Sequence, residues 1–154
     1  MSAELEHWEL VAREAIRDLV ARYNANGDAG RIDQVVELFA PDAVMDVAGR
    51  TYAGHDEIRG MFGGVVRDVK GGTPSGARPV IHHHTSSLQI DLVDETTASS
   101  RCYLQVLMTH GLDHWGRYLD NYAVVDGRWR FVRREIRVDG MAPGGWAASL
   151  PGAS

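Results

Sequence analysis

The sequence predicts an α+β fold, with helices gathered in its first half and an antiparallel sheet filling its second. Three observations carry this. From Trp8 to Tyr23, apolar residues recur at steps of three and four, the signature of one buried helix face. Two shorter helical stripes follow before residue 70. From His83 onward, four runs of strand length are separated by turn signals. Helices segregated from an antiparallel sheet define the α+β class, and their stripes must cover one face of that sheet. A twisted sheet curling around a long helix leaves a concave space at one end.

The first helix places Trp8, Val11, Ala12, Ala15, Ile16, Leu19, Val20 and Tyr23 on its inner face and Glu4, Glu6, Arg13, Arg17 and Asp18 on its outer one. Asn24 to Gly30 is rich in turn-forming types and closes it. A short second helix follows, with Ile32, Val35, Val36 and Phe39 inward and Pro41 as its stop. Ala43–Val47 reads as a strand, Ala48-Gly49-Arg50 as a turn and Thr51–Ala53 as a return strand. A third helix starts near His55-Asp56-Glu57, whose acids suit the positive end of the helix dipole, and buries Ile58, Met61, Phe62 and Val65. Lys70–Arg78 is a loop. The later strands are His83–Val93, Ala98–Thr109, Arg117–Val125 and Trp129–Val138. Asp94-Glu95-Thr96 and Asp126-Gly127 are their hairpin turns, and Gly111–Gly116 reads as the connector of the middle pair. Residues 1–140 form one domain on this reading, and 141–154 a Gly/Pro/Ala-rich tail carrying Trp146, placed to close over a pocket.

The chain has 154 residues, one domain's worth, with 16 Lys and Arg against 21 Asp and Glu for a formal charge of −5. With 44% apolar and 24% charged residues the composition is that of a globular protein and excludes a disordered chain. The acidic balance argues against nucleic acid as a partner. No run approaches the roughly 18 apolar residues of a membrane span. The opening Met1-Ser2-Ala3-Glu4-Leu5-Glu6 lacks the basic and apolar regions of a secretion signal, so a cytoplasmic location is expected. Cys102, the single cysteine, makes no internal disulfide and no cysteine zinc site, and is read as a small buried hydrophobe.

His82-His83-His84 is the most conspicuous motif. Alternation along a strand sends His82 and His84 one way and His83 the other, so three adjacent ligands are sterically awkward and no metal or other cofactor is expected. Asp28, between Gly27 and Ala29, reads from composition as a turn or capping residue. Arg128, Arg130, Arg133, Arg134 and Arg137 share one β-run that does not alternate cleanly, so one of them is expected to turn inward. Neither a phosphate-binding glycine loop nor a serine-centred elbow is present.

Several of these segments resemble the SnoaL-like proteins of the nuclear transport factor 2-like superfamily. They are Ala15-Ile16-Arg17-Asp18-Leu19 with Tyr23, Asp28 and Leu38-Phe39-Ala40-Pro41-Asp42-Ala43-Val44; Tyr52-Ala53-Gly54-His55-Asp56-Glu57-Ile58; His83 with Ser87-Leu88-Gln89-Ile90-Asp91; and Gly116-Arg117-Tyr118-Leu119-Asp120 with Asp126-Gly127-Arg128-Trp129-Arg130-Phe131. The resemblance implies a cone-shaped roll of cystatin-like type, three helices packed on a strongly curved sheet. Its nearest branch holds scytalone dehydratase and hexachlorocyclohexane dehydrochlorinase, lyases with a histidine base oriented by an aspartate after the first helix. In register, those roles fall on His83 and Asp28. The same register lines a pocket with Tyr23, Asn24, Met45, Phe62, Leu104, Val106, Tyr118, Arg134, Ile136 and Val138.

The implied activity is cofactor-independent proton abstraction from a small hydrophobic cyclic molecule, as a lyase or isomerase, in a homodimer or homotrimer. The family also contains non-catalytic ligand-binding or accessory domains and structural subunits such as the small subunit of ring-hydroxylating dioxygenases, and both stay open as alternatives. The sequence departs from the nearest branch at Gly27, where the dehydratases carry tyrosine, at Tyr23, where the dehydrochlorinases carry lysine, and at Ser87 in place of asparagine. These departures leave the substrate unassigned.

Overall fold

The stripe that starts at Trp8 folds as helix α1 (His7–Asp28), burying Ala12, Ile16, Leu19, Val20, Tyr23 and Asn24 in a computed structural model that describes residues 4–153. Met1–Ala3, the first part of the acidic opening, and Ser154 of the tail lie outside the described residues. A reciprocal capping box opens the helix: Glu9 accepts the Glu6 N–H while the Glu6 side chain accepts the N–H of Glu9. Val11, assigned by spacing to the inner face, is exposed. The helix also runs past the expected break at Asn24. Asn24 is buried against the core, and tertiary packing outweighs the weak helix propensity of Asn and Gly there. Gly30, at φ +69°, turns the chain out.

Helix α2 (Ile32–Val36) is shorter than its apolar spacing suggests. Phe39 opens strand β1 (Phe39–Val47), with Pro41 inside the strand rather than at a helix end. Pro41 falls where the register between β1 and its neighbour shifts, between Phe39 and Val44, so its missing N–H breaks no ladder bond. A tight turn through Ala48 and Gly49 leads to β2 (Arg50–Ala53), and helix α3 (Gly54–Gly71) follows with Ile58 and Val69 buried. The remaining strands are β3 (Ile81–Leu92), β4 (Thr97–Met108), β5 (Gly111–Val125) and β6 (Arg128–Met141), and a one-turn helix α4 (Trp146–Ser149) is the last element.

The six strands form one sheet in the order β2-β1-β6-β5-β4-β3. The last four make an antiparallel meander, and β1 docks on β6 in parallel. The stretch Gly111–Gly116 is the first six residues of β5, not a connector; the β4–β5 turn is Thr109-His110. Its two glycines and aspartate hide a strand whose inward positions are His114, Gly116 and Tyr118. Gly116 is required by close approach, since a Cβ there would lie 1.9 Å from the Arg137 carbonyl oxygen. Register irregularities at Ser86/Gln89, Val106/Leu107 and Trp115/Gly116 bend the sheet around α1.

Ile16, Val35, Phe39, Met45, Ile58, Val106 and Phe131 are fully buried between helices and sheet. Among the described residues no helix is long and apolar enough to cross a membrane.

Candidate functional site

Between α1, α3 and the concave face of the sheet lies a cavity of about 1220 Å³. Tyr23, Met45, Phe62, Leu104, Tyr118 and Ile136 give it an apolar wall, with Asn24 and Val138 also on its surface. Charged side chains ring its mouth, mostly as mutual ion pairs: Arg117 with Asp139, Arg133 with Asp46, and Arg137 with Glu135.

Asp28 and His83 meet on this cavity. Asp28 is the last residue of α1, and His83 sits on β3, one of the two edge strands of the sheet. An edge strand has every other N–H without a strand partner. Asp28 Oδ2 accepts that of His83 at 2.9 Å, while Oδ1 lies 2.5 Å from His83 Nδ1. One carboxylate thus fixes both the backbone and the ring. An ionised carboxylate only accepts, so Nδ1 is the donor and the neutral ring carries its lone pair on Nε2. Both side chains are largely buried, at 24% and 16% exposure for His83 and Asp28. His82 and His84 are exposed on the opposite face.

Two residues that the family register places in the pocket lie elsewhere. Val106 is buried beneath the wall, and Arg134 is fully buried without reaching the cavity surface. The Arg134 guanidinium stacks with Cζ 4.0 Å from the ring centroids of both Tyr23 and Tyr118, and 4.4 Å from that of Phe131. Its Nε and Nη2 each donate at 2.7 Å to Asp120, which also accepts from the Tyr122 hydroxyl. Burial opposes the Arg134 charge, but the Asp120 carboxylate outweighs it and raises the pKa well above the ordinary arginine value. Burial pushes the Tyr23 phenol up to about 12 and the Cys102 thiol up to about 11, so both stay neutral near pH 7.

The sequence reading missed a second histidine. His114, on β5, lines the same cavity, and its Nδ1 lies 2.7 Å from Asp113 Oδ2. Asp113 is fully buried and accepts two more hydrogen bonds, from the Trp146 N–H at 2.6 Å and the Ala147 N–H at 3.1 Å, while His110 Nε2 lies 2.9 Å from its Oδ1 as an ion-pair contact. It thereby clasps the tail, whose Trp146, Ala147 and Leu150 complete the cavity wall. The signal that could have found His114 is parity, since it lies one alternation step beyond Gly116 and two beyond Tyr118 on the inward face.

Burial alone would raise the Asp113 pKa, but hydrogen bonds from His114, Ala147 and Trp146 prevail and hold it below the ordinary carboxylate value. Burial lowers His114, with Asp113 offsetting part of the effect. Both groups therefore contribute stability that is complete above their unfolded pKa values, about 6.5 for histidine and about 3.9 for aspartate, and is lost as pH falls. Urea unfolding of the wild type is expected to show stability declining from pH 7 to pH 5, with a shallower decline in His114→Asn. Parallel profiles would remove His114 from that loss.

No curated protein matches this sequence. Among solved structures, a candidate scytalone dehydratase from Novosphingobium aromaticivorans is 25% identical, the match covering 88% of this chain and 89% of that one with a TM-score of 0.75. A nuclear transport factor 2-like protein with a cystatin-like fold from the same organism is 26% identical, over 92% and 96% of the two chains, at a TM-score of 0.70. The beta subunit of a candidate aromatic-ring-hydroxylating dioxygenase, also from that organism, is 18% identical, over 86% and 92%, at 0.69. The helices-on-curved-sheet architecture is thus that of the cystatin-like, nuclear transport factor 2-like proteins. A SnoaL-like domain matches residues 8–135, which span α1 through most of β6 and include both cavity histidines. On that match, over most of its length, the chain belongs to the SnoaL-like domain family.

Proposed function

We propose that the protein is a cofactor-independent lyase or isomerase that removes a carbon-bound proton from a small hydrophobic cyclic molecule. The observation that carries this reading is the Asp28–His83 pair opening on a cavity with an apolar wall and a charged mouth. His83 Nε2 takes the proton, and the electron pair left on carbon moves into an adjacent carbonyl or expels a leaving group. Asp28 holds the tautomer and stabilises the imidazolium that forms. The imidazolium then returns the proton to another carbon, completing an isomerisation, or to the departing group, completing an elimination. Low polarity around the pair strengthens its electrostatics. Similarity to a candidate scytalone dehydratase supports the lyase reading. Tyr103, Leu107, Leu112 and Trp115, exposed on β4 and β5, support association with further copies of the chain.

The test is hydrogen–deuterium exchange at the α-carbon of bicyclic ketones such as 1-tetralone in D2O, followed by NMR. Exchange above the buffer rate is expected with the wild type, falling to the buffer rate in His83→Gln. Equal exchange in the two proteins, or none in the wild type, would sink the reading and favour a binding role for the cavity.

A further inference from the structure

His114 has no part in the proton abstraction just described, yet the fold places it with care. The ladders put His83 opposite Val106 and Val106 opposite His114. Directly opposed residues on adjacent antiparallel strands project to the same face. The two imidazoles therefore rise from one row of the concave sheet, with Cα atoms two strand spacings apart, about 10 Å. Both line the cavity. Each has its Nδ1 bound to a carboxylate, Asp28 for one and Asp113 for the other. Since Nδ1 of His114 donates to Asp113, its Nε2 carries the lone pair and, among the described residues, has no hydrogen-bond partner. An acceptor left open on the cavity surface is a recognition group for a ligand donor, because burying it unpaired is costly.

We propose that His114 is a second ligand-binding group, accepting through Nε2 a hydrogen bond from a hydroxyl, and that the cavity takes hydroxylated cyclic molecules spanning the two histidines. The inference deepens the proposed function, since it names the ligand class of the same cavity, but it does not need His83 to act as a base. Burial supports it by keeping His114 neutral and thus an acceptor, as does the positive charge that His83 gains on taking a proton, which further disfavours protonation of His114. Asp113 is the positioning residue. The carboxylate that orients the His114 ring also holds the Trp146 and Ala147 amides, so the hydroxyl-binding nitrogen and the tail over the cavity share one anchor.

The test compares binding of 2-naphthol and 2-methoxynaphthalene by calorimetry. The two probes share a ring system, and only the first donates a hydrogen bond. The wild type is expected to prefer 2-naphthol by about tenfold, the worth of one buried hydrogen bond. His114→Asn keeps a side-chain amide where Nδ1 donates to Asp113 but removes the distal nitrogen; it is expected to lose the preference while binding 2-methoxynaphthalene as before. His114→Gln, whose amide reaches the position of Nε2, is expected to restore part of it.

The preference is read from binding to the wild type and the His114 variants alone, which separates this inference from the fate of the proton-abstraction reading. A wild type without carbon-proton exchange, but with a preference that His114→Asn abolishes, would overturn that reading and leave this one standing. A preference surviving in His114→Asn, no preference in the wild type, or binding of neither probe would overturn the inference. A nitrogen-15 spectrum gives a second readout on the folded wild type: the His114 Nε2 resonance should move on adding 2-naphthol and stay fixed with the ether.

Discussion

Asp28→Asn is expected to lower carbon-proton exchange on the order of 10²- to 10⁴-fold, the worth of a correctly poised base. The carboxylate now accepts from two donors of one residue, the His83 backbone N–H and its Nδ1–H. Asparagine offers one acceptor and one donor in the same space. The backbone N–H is a fixed donor and claims the amide oxygen, so the NH₂ group faces Nδ1. The ring then carries its proton on Nε2, the atom meant to accept one. Fold and cavity stay intact, because the substitution is isosteric. Nitrogen-15 spectra of the ring would show the tautomer reversed alongside the lost rate. An unchanged tautomer with an unchanged rate would show that the carboxylate does not control the base.

Arg134→Leu is expected to destabilise the protein by about 3–5 kcal/mol, the cost of stripping one partner from a buried ion pair. Arg134 and Asp120 are both fully buried, with side chains at 0% exposure. Removing the guanidinium leaves the carboxylate with the Tyr122 hydroxyl as its remaining side-chain donor and takes away the cation stacked against three aromatic rings. The double variant Arg134→Leu/Asp120→Leu is expected to recover most of the loss, since desolvating two charges costs nearly as much as their attraction returns. Urea unfolding of the two variants measures both quantities. A single variant within about 1 kcal/mol of wild type would place the pair among weakly coupled surface charges, in conflict with its burial.

Periodicity made the fold class and most elements legible. The α1 stripe, the third helix and the Asp126-Gly127 turn follow from local patterns that tertiary packing reinforces. It failed where two patterns overlap. Phe39 fits the helical spacing of Ile32, Val35 and Val36, but its backbone is committed to β6 through the Leu38 carbonyl and the Phe131 N–H. Gly111, Asp113 and Gly116 read as a loop, but glycine there serves a backbone that approaches β6 closely, and aspartate serves a buried clasp.

The site was less legible than the fold for the same reason. Composition made Asp28 a turn residue; only the family register paired it with His83. No register pointed to His114, because the strand that carries it was not recognised. The opposite error befell Arg134. The uneven alternation of β6 implied that one of its arginines turns inward and the family register named Arg134, but its enclosure by Tyr23 and Tyr118 depends on three elements brought together from across the chain.

The Asp28–His83 contact joins positions 55 residues apart, from the end of the first helix to an edge strand. Closing a loop of that length costs entropy, so the contact is expected to form after the local helices and the β3–β4 hairpin. The imidazole resonance of His83 is therefore expected to report the docking of the first helix on β3: a partly assembled chain with its helices and hairpins formed but not joined would still give the signal of a free histidine.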